Sequence, residues 1–158
     1  MAVPDLNYAV AASPFPAKTS TASALIKDIE TTATAVAFAD KILITVTQNG
    51  RLAHWLHVPL DISGTDSSLT SNPYLEQDED TPSSDLLPMH HLTATTVLGG
   101  TVAGLDVLGQ TLATQVASAL LTKNSGEKRM LVLGVGLDKS LSDGREFGDL
   151  VGLVLNVI

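Results

Sequence analysis

The stretch from Lys41 to Val58 constrains the fold more than any other part of the chain. It reads KILITVTQ, then Asn49-Gly50, then RLAHWLHV. Asn and Gly tolerate the positive φ angles of a tight two-residue turn, and Asn-Gly between two alternating apolar runs is a strong signal for a β-hairpin. Because an isolated hairpin is barely stable in water, we expect 41–58 to form the middle of a larger sheet.

The alternation in both arms assigns side chains to the two faces of that sheet, since successive strand residues point to opposite sides. In the first arm one face is apolar and consists of Ile42, Ile44 and Val46. In the second arm one face carries Leu52, His54, Leu56 and Val58, and the other carries Arg51, Ala53, Trp55 and His57.

Further segments around this hairpin have the composition of strands. They lie within 15–29, 31–39, 92–98 and 129–137. The first four strands are predicted to follow one another as an antiparallel meander, because the connections between them are short. The segment 129–137 is apolar on both faces, which places it inside the sheet rather than at an edge.

Two helices complete the predicted fold. The first covers 103–121, where apolar residues recur at spacings of three and four: Leu105, Leu108, Leu112, Val116 and Ala119. The second begins near Asp143, which is spaced from Glu146 like a capping box. The prediction is an α+β fold, a mainly antiparallel sheet of about six strands in the order βββββαβα, with the two helices packed on it.

The domain organisation follows from length and charge. We expect a flexible tail at 1–14 and a single α+β domain at 15–158, interrupted by a disordered acidic insert at about 61–90. Asp61 to Pro88 contains seven acidic residues and no Lys or Arg, so most of the net charge of −8 belongs to the insert. Its hydroxyls at Thr81, Ser83 and Ser84 are candidate phosphorylation sites.

The composition excludes several classes of function. The nearly neutral remainder lacks the basic surface of a nucleic-acid-binding protein. The chain has no cysteine, no apolar run long enough to span a bilayer and no signal-peptide pattern. We therefore expect neither a nucleic-acid nor a membrane partner; the predicted location is the cytoplasm, with the nucleus as a second compartment.

Residues 134–140 resemble a phosphate-binding loop that ends in Lys139-Ser140. Asp138 stands where such a loop has Gly, and its carboxylate would face the phosphates, so a plain strand-to-helix turn is favoured. Histidines occur as His54 with His57 and as His90 with His91, and neither pair has the spacing of a metal site. We predict no catalytic residues, no metal, no cofactor and no enzyme activity.

The face of the hairpin around Trp55 is the candidate protein interface. Trp and Arg dominate binding hot spots, although a partly covered core position explains Trp55 equally well. The candidate interface residues are Gln48, Asn49, Arg51, Trp55 and His57.

Three blocks of the sequence resemble the proteasome assembly chaperone 3 family. The first is ILITVTQ at 42–48 with Gly50 and Arg51. The second is TTVLG at 95–99 leading into the long helix, and the third is the strand 130–136 followed by Asp138-Lys139-Ser140. With the strand at 31–39, the similarity covers most of 31–158 apart from the insert.

The resemblance implies a non-catalytic chaperone for 20S proteasome assembly. Members of that family pair with themselves or with a related fourth-type chaperone, bind proteasome α-subunits during α-ring formation and leave before maturation. A small adaptor or scaffold of a trafficking or other complex is the alternative. A nucleotide-binding enzyme that uses the turn at 134–140 is a third, less favoured one.

Overall fold

The computed structural model describes residues 17–61 and 92–158. The predicted tail at 1–14 and all of the predicted insert except Asp61 lie outside these residues. The strands are β1 (Lys18–Ile26), β2 (Ile29–Ala37), β3 (Lys41–Gln48), β4 (His54–Pro59), β5 (Thr95–Gly99) and β6 (Met130–Gly136). The helices are α1 (Leu105–Lys123) and α2 (Phe147–Leu155), with a 3₁₀ turn at Lys139–Leu141 before α2. This confirms the α+β class and the order βββββαβα.

The strands form one mixed sheet in the spatial order β1-β2-β3-β6-β4-β5. Neighbours pair antiparallel except β3 and β6, which are parallel. The predicted hairpin between β3 and β4 is wrong, because β6 lies between them. The predicted meander is therefore confirmed only for β1 to β3, and the interior position predicted for β6 is correct.

The turn predicted at Asn49-Gly50 nevertheless forms. Asn49 has a φ of 55° and Gly50 a φ of 67°, and the Arg51 N–H donates to the Gln48 carbonyl at 3.2 Å. The chain then continues past the end of β6, where the Ala53 N–H donates to the Val135 carbonyl at 3.0 Å. The dipeptide sets the turn but does not decide which strands pair. β6 is apolar on both faces and buries Leu131, Leu133 and Val135 on the helical side, so a central position in the sheet is favoured.

Both helices pack on the same face of the sheet, α1 against β4 and β6, and α2 against β1 and β2. The core between the layers contains the face predicted to be apolar, with Ile44, Val46, Leu56 and Val58 fully buried. Leu112 and Leu150 bring the apolar stripes of the two helices into it. In the described ranges, no helix has the length and apolar character needed to cross a membrane.

The predicted start of the second helix is wrong. The helix begins at Phe147, and Glu146 precedes it without a capping hydrogen bond from its side chain. The Asp143 carboxylate instead accepts from the Arg145 N–H at 3.3 Å, and Gly144 has a φ of +70°. The left-handed conformation of Gly144 interrupts the helical path that a capping box would require.

Candidate protein interface

The face of the sheet opposite the helices is covered by no element in 17–61 or 92–158. Two neighbouring cross-strand rows cross its centre. One row is Thr19, Val36, Leu43, Val132, His57 and Thr95, and the other is Thr21, Thr34, Thr45, Gly134, Trp55 and Leu98. We call these two rows the open face. They contain no charged side chain, and their centre is aliphatic and aromatic.

The indole ring of Trp55 lies against β6 at Gly134. Trp55 is the cross-strand partner of Gly134, and a Cβ atom added to Gly134 would come within 2.8 Å of the Trp55 ring. The glycine therefore provides the space in which the indole rests, and the ring stays half-buried at the surface. A glycine inside an apolar strand is the sequence signal for such a close approach, and Gly134 was not among the predicted interface residues.

The open face ends at β5, which is an edge strand of the described sheet and has no charged residues. In this strand, Val97 is 61% exposed and Leu98 is 67% exposed. The register shifts between Trp55 and Leu56, so that Val97 is the extra residue of a bulge opposite them. Exposed aliphatic side chains beside a half-buried tryptophan are typical of a surface that contacts another protein.

Four of the five predicted interface residues lie at the surface. Trp55 and His57 belong to the open face, and Asn49 and Arg51 are exposed in the turn at one end of the sheet. Gln48 is only 2% exposed and is removed from the candidate interface. It shares the strand face of Ile42, Ile44 and Val46, which points into the core.

The amide of Gln48 has an internal role. Its Nε2 donates to the Thr31 hydroxyl at 2.9 Å, and its Oε1 accepts from the Asp138 N–H at 2.7 Å. The buried glutamine thus connects the end of β3 to the start of β2 and to the turn after β6. Because β3 and β6 are parallel neighbours, their ends meet at the same edge of the sheet.

In the turn at 134–140, two backbone N–H groups that a phosphate-binding loop would turn toward its ligand are hydrogen-bonded to side chains of the protein. The Asp138 N–H bonds to Gln48, and the Ser140 N–H donates to the Asp138 carboxylate at 3.0 Å. Hydrogen bonds from Ser140 lower the pKa of that carboxyl group. A Cβ on Gly136 would collide with the Arg51 carbonyl, so this glycine serves a backbone contact. The arrangement agrees with the predicted strand-to-helix turn.

His54 and His57 point to opposite faces, as predicted from their spacing. His54 is 5% exposed, and its Nε2 lies 2.9 Å from the Thr96 hydroxyl. Burial lowers the pKa of His54, while the carboxylate of Asp106 acts in the opposite direction. Within 17–61 and 92–158, His, Cys, Asp and Glu side chains form no cluster able to hold a metal ion. His90 and His91 lie outside the described residues.

Comparisons with known proteins add one finding. No protein-family model matches the chain. No curated protein matches it either. Among solved structures, it is similar to a chain of the yeast structure described as "Crystal Structure of a Novel Chaperone Complex for Yeast 20S Proteasome Assembly". The TM-score is 0.47 at 15% identity, over 87% of this chain and 94% of that chain.

Proposed function

We propose that this protein is a non-catalytic chaperone of 20S proteasome assembly. It acts as a dimer, with a second copy of itself or with a related fourth-type chaperone. The dimer binds proteasome α-subunits during α-ring formation and dissociates before maturation. The resemblance of three sequence blocks supports this role; in the fold these blocks are β3 with its turn, β5 leading into α1, and β6 with the following turn.

The open face is the observation that best supports the formation of a dimer. A two-fold dimer brings the same patch of each subunit together, so a patch full of like charges would repel its copy. The two rows that form the open face contain no Asp, Glu, Lys or Arg. Their apolar centre can therefore pack on a second sheet of the same kind without burying an unpaired charge.

A chaperone that leaves its complex is expected to bind through a modest interface. A protein that must leave its complex needs a contact with few strongly contributing side chains rather than a large obligate interface. Trp55 is the expected anchor, because large aromatic side chains at the centre of a patch carry most of the binding energy. Leu98 at its side excludes water from the contact.

Size-exclusion chromatography with light scattering tests the pairing. We expect the wild-type chain, alone or with the partner chaperone, to form a dimer that Leu98→Asp or Thr45→Arg weakens by at least about tenfold in Kd. Each change adds a charge to the open face without disturbing the core. Val107→Asp is the matched control, since Val107 is 62% exposed on the helical side. Equal dissociation constants for Leu98→Asp and Val107→Asp would contradict the assignment of the face.

A pull-down from cells tests the role itself. Tagged wild-type protein should recover proteasome α-subunits and incomplete α-rings, with the cytoplasm as the proposed compartment and the nucleus as the second. Recovery of trafficking or scaffold components without any α-subunit would support the adaptor alternative instead. The same experiment with Leu98→Asp separates the two steps, because a chaperone that works as a dimer should lose the client together with the pairing.

A further inference from the structure

A second candidate surface lies on the helical side of the sheet. A groove of about 340 Å³ is lined on one side by β1, β2 and β3 and on the other by the end of α1 and the residues after α2. Its aliphatic lining consists of Ala35, Ala37, Ile42, Leu120, Val157 and Ile158. Lys18 from β1 and Lys123 from α1 also line it. We call this feature the lysine groove.

The side chains of these two lysines are available to bind a ligand. Both are exposed, and within the described part of the chain neither has a carboxylate at ion-pair distance. Lys18 and Lys123 belong to different layers of the fold, one to the sheet and one to the last turn of a helix. A negatively charged group above the aliphatic lining could therefore contact a cation from each layer.

The third cation of the groove is fixed in place. Arg129 donates from Nε and Nη2 to the Glu127 carboxylate at 2.8 and 2.7 Å, and from Nη1 to the Phe38 carbonyl at 3.0 Å. The hydrogen bonds from Arg129 to Glu127 lower the pKa of Glu127 to about 2, so the carboxylate stays ionised and paired. Among the side chains that line the groove, three are cationic and one is a carboxylate, so these side chains are net positive in a chain whose net charge is −8.

We propose that the lysine groove binds an extended acidic segment of a partner protein, with aliphatic side chains on its lining and carboxylates at Lys18 and Lys123. Charge complementarity selects this occupant, because the long lysine stems can cover apolar surface while their ammonium groups reach a carboxylate. Exposed rim residues keep the groove open to solvent, which suits an extended peptide better than an enclosed small molecule. The groove lies on the face opposite the open face, so the proposal goes beyond the pairing.

Fluorescence anisotropy tests the proposal with full-length protein. The probe is a short fluorescein-labelled peptide of alternating Leu and Glu, and its control has Gln in place of Glu. We expect Lys18→Glu with Lys123→Glu to weaken probe binding by at least about tenfold, and added salt to weaken it in the wild type. The matched control is Lys139→Glu with Arg145→Glu, which makes the same change of charge at exposed positions outside the groove.

A second variant tests the lining independently of charge. Ala37→Phe would fill part of the groove and should reduce probe binding with an unchanged melting temperature. Equal binding by the wild type and the Lys18, Lys123 double variant would overturn the proposal, as would equal binding of the Glu and Gln peptides. Binding only after residues 64–88 are replaced by a Gly-Ser linker would also overturn it, because the chain's own acidic segment would then be the occupant.

Discussion

Gln48 is the residue whose role differs most between sequence and structure. A polar side chain beside a predicted turn suggests a surface position, yet its amide is buried and bonded on both sides. The alternation of β3 already contained this outcome, since Gln48 follows Ile42, Ile44 and Val46 at intervals of two. Buried amides persist where their donors and acceptors are matched, and this one is matched by Thr31 and Asp138.

Replacing Gln48 should therefore destabilise the fold. Gln48→Leu keeps the volume but leaves the Asp138 N–H without its acceptor, and we expect a loss of about 1–3 kcal/mol in the free energy of unfolding. Urea denaturation measures it. Gln110→Leu is the control, because Gln110 is exposed on α1, and its effect should stay within about 0.5 kcal/mol. Equal effects of the two changes would contradict the internal role of Gln48.

The contact between Trp55 and Gly134 gives a second prediction. Gly134→Val would place atoms where the indole now lies, so the ring should move into solvent and its fluorescence emission should shift to longer wavelength. The chain has a single tryptophan, which makes the signal specific. Thr45→Val changes a neighbour of Gly134 on the open face and should leave the emission unchanged. An unshifted spectrum for Gly134→Val would show that Trp55 does not rest on Gly134.

At the scale of elements, the ring of His54 lies where three parts of the fold meet. Its ring lies between β4, the Gly100 loop after β5 and Gly109 of α1; Cβ atoms added to these two glycines would both come within 2.6 Å of it. Its Nδ1 has no hydrogen-bond partner among the described residues. The neutral ring therefore fits this space, whereas an imidazolium would be poorly solvated there.

This arrangement predicts a pH dependence. Because burial lowers the pKa of His54, the unfolded chain binds a proton more readily, and stability should fall as pH drops below about 6.5. The carboxylate of Asp106 reduces the effect without reversing it. His54→Gln should remove this part of the slope when free energies of unfolding are compared between about pH 5 and 7.5. Parallel curves for the two proteins would refute the prediction.

The glycines of the two helices should respond in opposite ways to the same change. A Cβ on Gly152 of α2 would meet no atom of 17–61 or 92–158 within 4 Å, so Gly152→Ala should stabilise the fold by about 0.5–1 kcal/mol through helix propensity. A Cβ on Gly109 of α1 would lie 2.6 Å from the His54 ring, so Gly109→Ala should destabilise it. Thermal unfolding of both variants provides the measurement, and the same sign for both would contradict this account of α1.

At the scale of the whole molecule, β6 holds the sheet together. It pairs with β3 on one side and β4 on the other, so it joins the part of the sheet formed by β1, β2 and β3 to the part formed by β4 and β5. Its residues Leu131, Leu133 and Val135 are buried in the core. Among the described strands, β5 pairs only with β4, and every one of its residues is exposed.

This difference predicts an order of local stability. Amide hydrogen exchange should be slowest in β6 and β3 and fastest in β5, because local opening is easiest where few apolar contacts hold a strand. The expected protection in β6 corresponds to global unfolding. Similar protection in β5 and β6 at protein concentrations below the dimer Kd would contradict the order.

The amino-acid sequence determined the elements, their order and the sides they bury. Period-two alternation fixed the inner face of β3 and β4, spacings of three and four fixed α1, and Asn49-Gly50 fixed a turn, because these depend on residues close together in the chain. The function proposed from three sequence blocks rests on the same kind of local signal. What these signals left open is the neighbour of each strand.

Only the tertiary structure decided that β6 separates β3 from β4, that Gln48 is internal and that Gly134 carries Trp55. Each of these contacts joins residues about 70 to 90 positions apart. A strand with two apolar faces lowers the free energy most at the centre of a sheet, and that competition among all strands outweighs the preference of a single turn for a hairpin. The open face and the lysine groove follow from this arrangement.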